Sequence, residues 1–248
     1  MIIKRRARRV AQSLPLMLAA AALWSAPALA DPDITGQWVI DTAGKAKLKP
    51  EDMPLTPAAL ARAKAAAARS ASGRLQSEGH IKCLPDGMPH MMAAPFAVSF
   101  LQTKGRITVL AEVSNLPRTI YLAEKSHPAD LDPSWNGHSI GHWEGKTLFV
   151  DTVGFNDRFA NLFNAAAQVQ RTANLHIREK IYLAEDGAYL IDELTLEDPD
   201  IFTSPYTVTY RYRRLPADSE VMESVCEVDS KLLDQFEADQ IAQASPTP

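Results

Sequence analysis

The stretch Trp135–Asp157, WNGHSIGHWEGKTLFVDTVGFND, holds two runs of alternating residues around Gly145-Lys146. Gly145 and Lys146 suit a two-residue hairpin turn, which sets Glu144 opposite Thr147. Counting outward, His142 faces Phe149, Ile140 faces Asp151 and His138 faces Val153. Side chains alternate along a strand, so His138, Ile140, His142, Phe149 and Asp151 share one face. Ser139, Trp143, Leu148, Val150 and Thr152 share the other. One face is mostly apolar; the other mixes imidazole, carboxylate and apolar groups, as the wall of a small-molecule cavity does.

On either side the same text continues. FAVSFLQT, RITVLAEV, RTIYLAE, ANLHIREKIYLA, AYLIDELTLED, YTVTYRYRR and VMESVCEVD are short runs rich in β-branched and aromatic residues. Lys104-Gly105 and Asp186-Gly187 are further turn signals. With ITGQWVID (34–41), these predict about ten strands, each beside its sequence neighbour. Such an all-β, antiparallel up-and-down meander closes into a barrel or splits into a sandwich. Before it, TPAALARAKAAAARSAS (56–72) predicts one N-terminal surface helix, with Thr56 as cap and Pro57 in the first turn. RFANLFNAAAQVQ (158–170) reads as an irregular or helical insertion, and KLLDQFEADQIAQA as a short helix before a frayed end. One domain is expected: an N-terminal strand and helix segment over 31–79, a barrel core over 80–230 and a tail over 231–248.

Residues 1–30 run from basic (Lys4, Arg5, Arg6, Arg8, Arg9) through apolar to Ala28-Leu29-Ala30, the order of a secretory signal peptide cut after Ala30. The mature protein is therefore expected to be periplasmic or secreted. Its loss removes five basic side chains and no acidic one, so 26 basic against 30 acidic residues becomes 21 against 30. A chain this acidic is a poor partner for nucleic acid, and it has no basic amphipathic helix for stable membrane association. Cys83 and Cys226 are the two cysteines, and in an oxidising compartment a disulfide between them is the simplest expectation.

Two histidines four apart on a strand stand about 13 Å apart, too far for His138 and His142 to share one zinc. No metal is expected there. Acid–base chemistry fits better: imidazole titrates near neutral pH, and Asp151 lies diagonal to both rings. Further on, LHIREKIY sets His176 on the polar side of its strand and Glu179 on the apolar side. A carboxylate on an apolar face is costly unless paired or neutral, so Glu179 is either a general acid or the partner of an arginine such as Arg118 or Arg211. Trp135 precedes the hairpin in a loop, where it can edge a ligand site or pack on the rim. Nucleophile-elbow, phosphate-loop and dinucleotide motifs do not occur.

CLPDGMPHMM, AVSFLQTKGRITVLAE, HPADLDPSWNGHSIGHWEGKTLFVDTVGFND, LHIREK and EDPDIFTSPYTVTYRYR stand in an order that resembles a family of exported bacterial β-barrel proteins. The likeness covers roughly residues 80–228 and implies a lipocalin-like barrel. It also implies that His138, Ser139, Trp143, Glu144, Asp151 and His176 occupy signature positions. His142 departs from the family pattern, which commonly carries Arg there, and Lys146 stands where Asp is common. The expectation is a cofactor-free lyase or isomerase on a small aromatic or apolar molecule. His138 would be its base, Asp151 the orienting group and His142 or His176 the acid; Trp135, Ile140, Phe149 and Glu179 would line the substrate. A periplasmic carrier with the same cavity and no turnover is the alternative.

Overall fold

The structure is a computed structural model that describes residues 31–42, 48–71, 81–113, 116–158, 161–163 and 169–244. Residues 1–30, where the signal peptide is expected, and the last four residues lie outside these, as does part of the 158–170 insertion.

Nine strands close into a barrel in sequence order: β1 (Gly36–Ile40), β2 (Ala97–Thr103), β3 (Arg106–Ala111), β4 (Arg118–Tyr121), β5 (His138–Glu144), β6 (Thr147–Val153), β7 (His176–Ala184), β8 (Tyr189–Glu197) and β9 (Tyr206–Arg214). β1, expected ahead of the barrel, closes it by pairing with both β2 and β9. The hairpin register follows the alternation: His142 faces Phe149, Ile140 faces Asp151 and His138 faces Val153. Gly145 holds the first turn position at φ +59°, a conformation that costs glycine no Cβ clash.

Two expectations are corrected. VMESVCEVD forms no strand; it is a mostly exposed segment without regular secondary structure, tied to the protein by the Cys83–Cys226 disulfide, whose Cα atoms are 5.7 Å apart. Val221 and Met222 are adjacent, and Val225 and Val228 stand three apart, so its apolar residues do not alternate and give it no continuous face for a sheet. The meander is also not antiparallel throughout. β4 and β5 pair in parallel, with Ile120 opposite Ser139 and Tyr121 opposite Ile140. Parallel neighbours need a crossover that carries the chain back along their length. Residues 122–137 supply it, as a strap against the outside of the barrel wall.

The apolar hairpin face points inward. Ser139, Gly141, Leu148, Val150 and Thr152 are buried, together with Phe100, Ile107, Ile120, Ile177 and Leu194 from the other staves. Gly141 is glycine because of this packing: a Cβ there would stand 2.8 Å from Ile120 Cγ2. The interior is partly polar. Arg118, fully buried, donates from Nε to Ser139 Oγ at 3.2 Å, from Nη2 to Thr152 Oγ1 at 3.2 Å and from Nη1 to Glu179 Oε1 at 2.9 Å. A second guanidinium bond to Glu179 Oε2 makes the pair bidentate. Burial opposes the arginine charge, but the adjacent Glu179 carboxylate outweighs it, and the guanidinium pKa is raised.

Helix α1 (Pro57–Ala71) starts as expected, with Thr56 Oγ1 accepting from Ala59 N at 3.2 Å. Ala59, Ala63 and Ala66 form its buried stripe, and its start is anchored where Thr56 N donates to Ile201 O in the β8–β9 connection. The tail helix is also present, over Ser230–Ala244. Among the described residues no helix is long and apolar enough to cross a membrane.

Candidate functional site

Because the apolar hairpin face fills the barrel, the mixed face looks outward, and the expected wall of an inner cavity is an outer wall. The crossover strap covers part of it, and this explains why ionisable residues on an outer face are only half exposed. Glu124 and His127 come from the strap, His138 from β5, Asp151 from β6 and His176 from β7.

These side chains form one connected line. His138 Nε2 lies 3.2 Å from Glu124 Oε2, and its Nδ1 meets His127 Nδ1 at 2.9 Å. His127 Nε2–H donates to Asp151 Oδ2 at 2.9 Å, and His176 Nε2–H donates to Asp151 Oδ1 at 2.7 Å. Tyr121 stacks on His138 with ring centroids 5.0 Å apart. Arg178 stands 3.8 Å from Asp151 Oδ1 and is bonded to Glu197.

The line counts its own protons. A carboxylate only accepts, so His127 carries hydrogen on Nε2 and offers Nδ1 as an acceptor. Hydrogen on Nδ1 of His138 then completes an N–H···N bond between the two rings at 2.9 Å. Burial foremost pulls the His138 pKa below the ordinary imidazole value; Glu124 opposes that and His127 adds to it. Burial is the largest influence on Asp151 and raises its pKa, but the hydrogen bonds and charges of His127 and His176 together bring it below the usual carboxylate value.

Beside this line runs an open groove of about 670 Å³ across the outer faces of β5 to β9. Ile140 and Phe149 give it an apolar floor, Asp151 stands at its edge, and Lys125 of the strap, Arg178, Lys180, Glu193 and Thr195 are among its walls.

Of the residues expected at a site, Asp151 and His176 are in direct contact, and His138 joins them only through His127. His142 lies apart: it is 60% exposed, pairs with Glu144 at 3.0 Å and stacks on Phe149. Ile140 and Phe149 line the outer groove. Trp135 lies in the loop, with the Arg171 guanidinium 5.9 Å from its ring centroid. Glu179 is sealed in the barrel on Arg118, the ion-pair arrangement expected as one alternative.

His127, Glu124 and Tyr121 are the members that strand spacing passes over. They belong to β4 and the strap, and only the parallel β4–β5 pairing brings them to the hairpin. Among the described residues no group of three or more His, Cys, Asp or Glu side chains is placed to hold a metal ion. No known family model matches the chain, and no curated protein does. The functional reading therefore stands on the geometry of this wall.

Proposed function

We propose that this is an exported enzyme of lyase or isomerase type that moves protons on a small, partly apolar molecule lying in the outer groove. The observation that carries the reading is the Asp151 carboxylate at the groove edge, oriented between two imidazoles. His176, which Asp151 holds beside the groove, is the base in this reading. Its Nε2–H is held by Asp151, which leaves Nδ1 as the lone-pair nitrogen, and a carboxylate partner stabilises the cation that forms when Nδ1 takes a proton. His138, first choice from spacing alone, has both ring nitrogens engaged, so it fits a supporting role: its contact with His127 steadies the ring that holds Asp151.

The test is mass spectrometry of the mature protein with a panel of aromatic and terpenoid alcohols, acids and lactones, run beside His176→Ala and His138→Ala. The reading expects a product that His176→Ala abolishes. Conversion unchanged in His176→Ala would refute the assignment.

A second reading, a periplasmic carrier, draws on a different feature of the same wall. Glu124, His138, His127 and Asp151 satisfy one another, as groups do when they fasten a strap rather than act on a substrate. Ligand retained by the parent and by His176→Ala alike, and never converted, would favour it.

A further inference from the structure

We infer that the groove's ligand is a small carboxylic acid with an aromatic or apolar body, its carboxylate lying between the ammonium groups of Lys125 and Lys180. This rests on the groove as the site proposed above and adds the class of molecule it takes.

The charges left over after internal pairing decide the sign of the ligand. Arg178 is engaged by Glu197 and Asp151. Glu193, across the strand pair from Lys180, accepts the Tyr182 hydroxyl at 2.8 Å. Asp151 takes two imidazole N–H groups. Among the described residues neither Lys125 nor Lys180 has a carboxylate within ion-pair distance, yet both line the groove. Glu193 keeps its charge, so what remains for a ligand is an excess of positive charge, two ammonium groups from the strap and β7 against one carboxylate.

The floor decides the body. Phe149 lies directly across the strand pair from Lys180, and Ile140 directly across from Asp151. The His142 ring, stacked on Phe149 with centroids 5.7 Å apart, extends the aromatic surface. A flat apolar body therefore lies beside the Lys180 ammonium. Asp151 is two residues along β6 from Phe149, about 7 Å away at the rise of a strand. An anionic ligand turns its carboxylate from Asp151 toward the lysines, which brings the remote end of its body to the Asp151–His176 pair. A volume of about 670 Å³ accommodates a molecule of this size.

The probes are 4-phenylbutanoate and its neutral counterpart 4-phenylbutan-1-ol, titrated calorimetrically into the whole mature protein at low ionic strength. The parent should bind the acid about five- to tenfold tighter than the alcohol, as two partly screened ion pairs supply, and added salt should narrow the gap. The double variant Lys125→Gln/Lys180→Gln should lose that preference and keep its affinity for the alcohol. Equal affinity for acid and alcohol, no binding of either, or an acid preference that survives in the double variant would each overturn the inference. Because binding is read without turnover, the two proposals fail separately. Acid bound through the lysines but never converted removes the enzyme and leaves the ligand class. Neutral molecules converted without acid preference do the reverse.

Discussion

Replacing Arg118 by methionine removes the cation that pairs with Glu179 in the bidentate pair inside the barrel. Both side chains are fully buried, so water cannot replace what is lost, and the carboxylate stays behind with its desolvation uncompensated. Breaking such a pair from one side costs about 3–5 kcal/mol. For a domain of this size each kcal/mol moves the midpoint by about 2–4 °C, so Arg118→Met should melt about 6–20 °C below the parent. The double variant Arg118→Met/Glu179→Leu should regain most of this, because replacing both charges by apolar groups of similar volume is often neutral or better. Ser139 and Thr152, which lose their arginine donor in both variants, still have each other at 2.9 Å. Urea and thermal unfolding followed by circular dichroism at neutral pH, with the disulfide intact, give both numbers. A single variant within about 1 kcal/mol of the parent would falsify the view that the pair's integrity matters, and a double variant as unstable as the single would refute the assignment of the cost to the stranded carboxylate.

Asp192 is buried with neither carboxyl oxygen hydrogen-bonded among the described residues, and burial foremost, with Glu179 and Glu193 adding and Arg118 opposing, pushes its pKa well up. The folded protein therefore holds this proton more tightly than the unfolded chain, and stability is greatest below the unfolded carboxylate value and falls as pH rises through the folded one. Asp192→Leu should accordingly stabilise by about 1–3 kcal/mol at neutral pH and by less at pH 4, measured by urea midpoints. At the outer line the signs are opposite: Asp151 contributes stability above the unfolded carboxylate value that is lost as pH falls through its lowered one, and His138 resists protonation below the ordinary imidazole range. His127→Gln removes one of the influences lowering His138, so imidazole NMR should find the His138 pKa moved upward; an unchanged or lower value would contradict the shared contact. Gly141→Ala puts a methyl group 2.8 Å from Ile120 Cγ2 and 3.3 Å from Leu148 Cδ1, and should cost about 1–3 kcal/mol in thermal unfolding.

Period-two alternation and the Gly145 turn are local properties, and they alone determine the register of β5 with β6 and the membership of each face. The same holds for the cap of α1 at Thr56, whose partner is three residues away. The pairing of Cys83 with Cys226 is expected from the cysteine count and the expectation of export, without knowledge of the fold. Two matters were decided only in three dimensions. The first is which hairpin face is inside. Both faces carry apolar residues, and the barrel accepts polar groups too when they pair completely, as Arg118 of β4 and Glu179 of β7 do with two strands between them. Hydropathy along one hairpin cannot foretell a partner that far away in the chain. The second is the composition of the outer line. His127 reaches Asp151 because β4 and β5 run parallel, and parallel neighbours oblige residues 122–137 to travel back over the wall. Strand spacing records which side chains share a face; it carries no record of what a crossover lays on top of them.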